Sequence, residues 1–241
     1  MADRNQFPAW LASFKHQHEL KDDFHYYNSA ELWTSLAVDA GTSVAIDAAG
    51  VGGIVKLTTG ATDNNEAGLF TTNELFLLAA GKSLRAGVRL QFTEANTDDA
   101  NMLFGFADAP GADALLDNGG GVSTAFTTAI LIYKIDGGTV WRFHVENGAD
   151  TDLYTSTLTA GGSSYQWLEI LGDVVDGSID EYGFTFKLDG LDVLNTDTGR
   201  PLRLSIPYAS ATEMDFGVYV KAGSANSEVV NVDKIYAYQT T

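Results

Sequence analysis

Residues 83–92 (SLRAGVRLQF) repeat with a period of two: Leu84, Ala86, Val88, Leu90 and Phe92 fall on one side, Arg85, Arg89 and Gln91 on the other. Successive strand side chains point to opposite faces, so this run predicts a strand with one face in a core and one in water. A helix built on the same residues would scatter its apolar groups around the axis.

The same period recurs along the chain. Trp141, Phe143 and Val145 stand opposite Arg142, His144 and Glu146, and Tyr182, Phe184, Phe186 and Leu188 stand opposite Thr185 and Lys187. Phe216, Val218 and Val220 repeat it, with Asp215, Tyr219 and Lys221 outward. Turn clusters such as Asp136-Gly137-Gly138, Asn147-Gly148 and Asp189-Gly190 separate these runs and supply the positive φ that tight turns need. About a dozen strands can be read this way, the number two packed sheets would use. The expected fold class is all-β, a two-sheet antiparallel jelly-roll sandwich.

Helical periodicity is confined to residues 8–20, where Pro8 suits a first turn and Trp10, Leu11 and Phe14 share a face. The expected organisation is an N-terminal arm, residues 1–20 with a short helix, followed by one sandwich domain, residues 21–241.

Composition narrows the function. With 32 acidic against 14 basic residues the formal net charge is −18, a field that repels phosphate backbones, so no nucleic-acid partner is expected. The absence of cysteine excludes disulfides, thiolate metal sites and a cysteine nucleophile. No stretch approaches the roughly 18 apolar residues of a membrane span, the longest run being residues 127–133, so no membrane is expected either. The opening residues lack the basic region and apolar run of a secretory signal, and export by that route is not expected.

Asp22-Asp23-Phe24, then Trp33, then residues 51–60 (VGGIVKLTTG) resemble the start of concanavalin A-like domains of the laminin-G-like type. Phe104-Gly105-Phe106-Ala107-Asp108, Trp167-Leu168-Glu169-Ile170, Phe186-Lys187-Leu188-Asp189-Gly190 and Val232-Asp233-Lys234-Ile235 follow in the order that family uses. Within this group, the Asp-Asp-Phe start, the short arm and the lack of cysteine are similar to structural proteins of tailed-bacteriophage virions. That resemblance implies a head decoration or cement protein, made in the host cytoplasm and placed on the capsid exterior. Its partner would be the major capsid protein, and it would form a homo-oligomer such as a trimer.

Glycan-cleaving relatives of the fold carry two glutamates and an aspartate alternating on one strand, since acid and nucleophile must flank the same bond. No Glu-x-Asp-x-x-Glu occurs; Glu169 with Asp173 and Asp180 with Glu181 are the nearest pairs, at the wrong spacing. No Gly-x-Ser-x-Gly elbow is present, and Gly119-Gly120-Gly121 lacks the strand-to-helix context of a phosphate loop, so it reads as a flexible loop. The expectation is therefore no enzyme and no catalytic residue. His16, His18 and His25 read as solvated arm residues in preference to metal ligands, and His144 as a surface histidine in preference to a catalytic base. No cofactor is expected. Calcium is the one ion the resemblance admits, at Asp63-Asn64-Asn65, at Asp98, Asp99 and Asn101, or at Asn147, Asp150 and Asp152, although turn chemistry alone accounts for these residues.

Two binding surfaces can be nominated. Phe7, Trp10, Leu11 and Phe14 place four large apolar groups near a chain end, where exposure of each would forgo roughly 1.5–3 kcal/mol, so the arm is expected to dock on the sandwich or on a neighbour. Arg89, Arg142, His144 and Tyr219 are the outward candidates for a ligand face under the alternative function, a lectin-like carbohydrate-binding or receptor-binding module.

Overall fold

The computed structural model describes residues 16–27, 31–50, 52–79, 81–96, 98–161, 164–175, 181–207 and 212–240. Among these the chain is strand and turn, with one 3-10 turn at Asp117–Gly119 and no α-helix. The first ten strands are β1 (His16–Asp22), β2 (Trp33–Leu36), β3 (Ser43–Ile46), β4 (Val55–Thr58), β5 (Glu66–Thr71), β6 (Phe76–Leu78), β7 (Leu84–Thr93), β8 (Ala100–Ala107), β9 (Leu115–Leu116) and β10 (Gly121–Val122). There follow β11 (Thr128–Lys134), β12 (Val140–Asn147), β13 (Asp150–Thr159), β14 (Gln166–Val174), β15 (Glu181–Leu188), β16 (Leu191–Asp192), β17 (Arg203–Pro207), β18 (Thr212–Ala222) and β19 (Val229–Thr240).

Two antiparallel sheets form a jelly-roll sandwich. The nine-stranded sheet runs β16-β15-β14-β7-β19-β4-β3, with β1 also on β19 and β17 also on β15. The eight-stranded sheet runs β13-β12-β11-β8-β18-β5-β2, with β6 also on β18. Long strands are flanked by short ones laid end to end: one edge of β19 pairs first with β4, over 229–232, and then with β1, over 235–240. These short partners raise the strand count above what alternation can reveal, because a run of two to four residues shows no period.

The inner faces meet as the period-two pattern requires. Leu84, Ala86, Val88, Leu90 and Phe92 of β7 and Tyr182, Phe184 and Phe186 of β15 are buried against Phe104, Phe106, Phe143 and Phe216 of the other sheet. Aromatic pairs bridge the sheets: Phe143 and Phe186 have ring centroids 4.8 Å apart, and Phe92 meets Trp141 edge-on at 5.9 Å. Such contacts add about 0.5–1.5 kcal/mol each to area burial.

The Asp22-Asp23-Phe24 signature and Trp33 form a corner. Asp22 accepts hydrogen bonds from Trp33 Nε1 and from the Phe24 amide, both at 2.7 Å, while Phe24 turns into the core with φ +56° and its ring 5.9 Å from that of Trp33. Gly53 lies so close beneath that a Cβ there would sit 2.4 Å from the Asp23 carbonyl oxygen. A motif of common residues thus marks a place where three stretches of backbone meet.

Over β5, β8, β11 and β18 the outward face of the eight-stranded sheet is also dry. Ala114, Leu115 and Phe126, from the segment that carries the β9–β10 hairpin, cover Phe70, Leu103, Leu131, Tyr133 and Tyr219. The segment is clamped by Lys221, whose Nζ meets Asp113 Oδ1 at 2.5 Å and the Leu115 carbonyl at 3.2 Å and pairs with Asp117. Burial alone would lower the Lys221 pKa, but the Asp113 and Asp117 carboxylates outweigh it and hold the ammonium above its ordinary range. Coverage on both faces explains why β8 and β11 are buried at every residue and why 127–133 read as a continuous apolar run.

Several sequence expectations change here. Residues 16–20, read as the end of a helix, are strand, because their backbone groups pair with β19. β1 accordingly begins five residues before the boundary drawn at residue 21, and Leu20 is core. Phe7, Trp10, Leu11 and Phe14 lie outside the described residues. Gly119-Gly120-Gly121, expected as a flexible loop, links the 3-10 turn to β10, with Gly119 and Gly121 at positive φ.

At one rim Glu228 is 0% exposed. Its Oε2 accepts the Ala95 amide at 3.1 Å, and Oε1 has no hydrogen-bond partner among the described residues. Burial, reinforced by Glu94 and Asp99, lifts its pKa from 4.5 to about 7. The folded form therefore holds a proton that the unfolded chain releases near pH 4.5, and this group's contribution is most favourable below that pH and is lost as pH rises toward 7. Glu228→Gln should leave stability nearly unchanged at pH 4 and raise it by roughly 1–3 kcal/mol at pH 8, measured by urea unfolding across the pH range.

Candidate functional site

Among the described residues, no apolar segment like that of its counterpart covers the outward face of the nine-stranded sheet, and its side chains fall in rows. In one row Lys56 of β4 is paired with Asn231 of β19, and Asn231 with Gln91 of β7. The next row holds Arg89 of β7 and its partner Trp167 of β14, and the third holds Gly87, Glu169 and Lys187 of β7, β14 and β15. Inward neighbours Val55, Leu57, Leu90, Leu168, Phe186 and Val230 are core, which fixes these side chains on the outer side.

The floor is aromatic. Tyr236 lies over Gly87, where a Cβ would be 2.4 Å from the ring, and donates its hydroxyl hydrogen to Glu169 Oε1 at 2.7 Å. Burial, with the Glu169 carboxylate beside it, raises the Tyr236 pKa, so the phenol stays protonated as a donor. Trp167 packs partly on Tyr236, with centroids 6.1 Å apart. Just before β14, Tyr165 receives the Arg89 guanidinium over its ring at 4.1 Å, while Arg89 also pairs with Asp233. Tyr165, Trp167, Gln91, Asn231 and Lys56 are each half-buried, and Asn231 Oδ1 is a buried acceptor without a hydrogen-bond partner among the described residues. The patch therefore combines aromatic faces with planar hydrogen-bonding groups on a rigid sheet.

The sequence-nominated ligand face does not come together. Arg89 is on this sheet, whereas Arg142, His144 and Tyr219 are on the outer side of the other one. Tyr219, expected outward, is 0% exposed beneath the clamped segment and bonds to Glu66. His144, expected at the surface, is 7% exposed, 3.0 Å from Glu146 Oε2 and edge-on to Tyr133. In both cases alternation gave the correct side of the strand; the clamped segment makes it dry at Tyr219, and Glu146 and Tyr133 flank His144. Tyr165 and Trp167 were missed as site residues. The signal available for them was two aromatics at a spacing of two, of which only Trp167 lies within a strand.

Other candidates are committed elsewhere. Glu169 serves Tyr236, and Asp173 pairs with Arg85 at 2.6 Å. A groove of about 540 Å³ at the β13 edge is lined by Leu158, Leu188, Leu191 and Leu194, but Asn195 Oδ1 on its wall is spent on the Asp197 and Thr198 amides. In the acidic loops, Asn65 Nδ2 donates to the Ala40 carbonyl, Asn101 Oδ1 accepts the Asp136 amide, and Asp152 Oδ2 accepts the Ser205 amide. Among the described residues no group of three or more His, Cys, Asp or Glu is placed to hold a metal ion.

The fold is an all-β, two-sheet jelly-roll sandwich, and several solved structures are similar to it. The Emp47p carbohydrate recognition domain superposes with a TM-score of 0.60 at 14% identity, covering 92% of this chain and 95% of that one. The endo-1,3-beta-glucanase of Streptomyces sioyaensis gives 0.57 at 12%, with 92% and 95% covered. A legume lectin-like domain from Entamoeba histolytica gives 0.56 at 10%, with 86% and 89% covered. The Emp46p recognition domain, in a form described as potassium-bound, gives 0.57 at 11%, with 90% and 94% covered. At such identities the likeness is one of fold. No protein-family model matches the sequence, and no curated protein does.

Tyr236→Phe should cost about 1–3 kcal/mol by leaving the Glu169 carboxylate without its donor. Gly87→Ala should destabilise further by displacing the ring, and urea unfolding followed by tryptophan fluorescence would measure both.

Proposed function

We propose that the protein is a non-enzymatic, glycan-binding module of the lectin type, with Tyr165, Trp167, Arg89, Gln91 and Asn231 as its contact surface. The observation that carries this reading is the half-buried aromatic pair Tyr165 and Trp167 set among planar polar groups, with the Arg89 guanidinium over the Tyr165 ring. A sugar ring offers an apolar C–H face to stack on an aromatic ring and hydroxyls to bond the surrounding amides and guanidinium. The carbohydrate recognition domains among the structural neighbours support the same reading by analogy of fold. The glucanase shares that fold too, but here Glu169 and Asp173 are committed to internal partners.

The capsid-decoration reading, with a major capsid protein as partner, a homo-oligomer and a place on the virion exterior, draws its support from sequence resemblance alone. None of the structures named above is described as a phage or capsid protein.

A glycan array followed by calorimetry on the hits tests the proposal. Trp167→Ala and Tyr165→Ala should each weaken binding about tenfold, equal to about 1.4 kcal/mol, while Leu153→Ala on the other sheet should change nothing. Uniformly negative arrays would overturn it. Removing residues 1–15 should leave glycan affinity intact, whereas a capsid-bound cement protein should lose co-sedimentation with undecorated heads. The truncation has to stop there because Leu20 is core.

A further inference from the structure

Asparagine occurs before glycine twice in the chain, at Asn118-Gly119 and at Asn147-Gly148, and the fold treats the two pairs oppositely. Such a pair is open to attack on itself: the backbone nitrogen of the glycine can add to the asparagine Cγ, and glycine has no Cβ to obstruct the approach. At Asn147-Gly148 every atom the reaction needs is tied. Asn147 is buried at the end of β12, where its Oδ1 accepts from Thr128 Oγ1 at 3.2 Å and its Nδ2 donates to the Pro207 carbonyl at 3.0 Å. The Gly148 amide, which would be the nucleophile, donates to the Thr127 carbonyl at 2.6 Å.

Asn118 has none of these restraints. It lies in the loop between β9 and β10, which joins the paired residues Leu116 and Gly121. The residue is exposed, and its carboxamide has no hydrogen-bond partner among the described residues. Its backbone is left-handed, with φ +52° and ψ +41°, and two glycines follow it within the loop. Swinging Gly119 N toward Asn118 Cγ therefore disturbs a loop tip, whereas the same motion at Gly148 disturbs the end of a core strand.

We infer that Asn118-Gly119 is a site of spontaneous covalent modification, and that the modification loosens the segment covering the eight-stranded sheet. Gly119 N bonds to Asn118 Cγ, and the carboxamide nitrogen leaves as ammonia with the proton that Gly119 N gives up. Water then opens the resulting succinimide at one of its two carbonyls, leaving aspartate or an isoaspartyl link. The isoaspartyl link adds a methylene to the loop that sets Leu116 opposite Gly121 and carries the 3.0 Å bond from the Gly120 amide to the Asp117 carbonyl. Either product adds a carboxylate next to Asp117, whose own charge is paired with Lys221. Asp117 is one of the two carboxylates that clamp the segment, so a misshapen loop there weakens the hold of Lys221 on Leu115 and its neighbours.

The test is to age the full chain in mildly alkaline buffer, folded and in parallel unfolded in urea, and to follow both sites by peptide mass spectrometry. Cleavage after lysine and arginine places residue 118 in the peptide 90–134 and residue 147 in 143–187. In the unfolded chain both asparagines should gain one mass unit at similar rates. In the folded chain Asn118 should convert at least about tenfold faster, because Asn147 and Gly148 must first give up three hydrogen bonds. Asn118→Gly, which suits the left-handed backbone, should leave the mass of 90–134 unchanged; Gly119 is kept because a Cβ there would lie 2.7 Å from the Asp136 carbonyl oxygen. The converted protein, separated by its extra charge, should exchange amide hydrogens over 108–127 about tenfold faster than the unconverted one, with β7 and β15 unaltered. Equal conversion of the two sites in the folded chain, earlier conversion of Asn147, or an Asn118 that stays intact while the unfolded chain converts overturns the inference. Exchange over 108–127 that is the same before and after conversion overturns the loosening.

Discussion

Two sheets share one core only if every strand gives it each second side chain, and that commitment fixes the rest of this molecule. Once Leu84, Val88 and Leu90 of β7 are committed inward, Arg85, Arg89 and Gln91 have no choice of side. The same holds for Asn231 of β19 and for Trp167 of β14. The candidate surface is therefore held in place by the core beneath it. Its geometry is as rigid as the packing of Phe186 on Phe143.

The two outward faces meet their solvent problem differently. The eight-stranded sheet is covered by its own chain, with apolar side chains over apolar side chains and one buried lysine tethering the segment through two carboxylates. The nine-stranded sheet is finished with tyrosines, ion pairs and amides, and Gly87 makes room for the ring of Tyr236. Buried polar groups there are stabilising only while paired. That requirement leaves partially exposed, directional groups at a fixed spacing, the kind of surface on which a hydroxyl-rich ligand competes well with water.

Strand alternation at 84–92, 141–146, 182–188 and 216–221 made the sandwich legible, and the Asp-Asp-Phe and Trp33 signature pointed to its type. What alternation cannot carry is the environment of the outer side. Tyr219 and His144 have the expected parity yet are dry, because residues 108–127 and neighbouring side chains cover them, and that covering depends on contacts distant in sequence. The short strands β9, β10 and β16 have too few residues to show a period. In residues 16–20 the local pattern suited a helix, and pairing with a strand more than two hundred residues away prevailed. Arg89 was nominated correctly as outward, but its partners Tyr165 and Asp233 come from elsewhere in the chain and lay beyond the reach of local reading.

The position of β19 has a consequence for the order of events during synthesis. The last strand of the chain lies inside the nine-stranded sheet, with β7 along one side and β4 and β1 along the other. Until residues 229–240 leave the ribosome, that sheet is three pieces, the group ending at β7, the pair β4 and β3, and β1 alone, and the inner faces of both sheets have an incomplete cover. Long-range pairing of this kind is slow and leaves apolar surface open meanwhile. The sheet cannot be completed before residues 229–240 are made, so the apolar inner faces of the earlier strands stay incompletely covered until then.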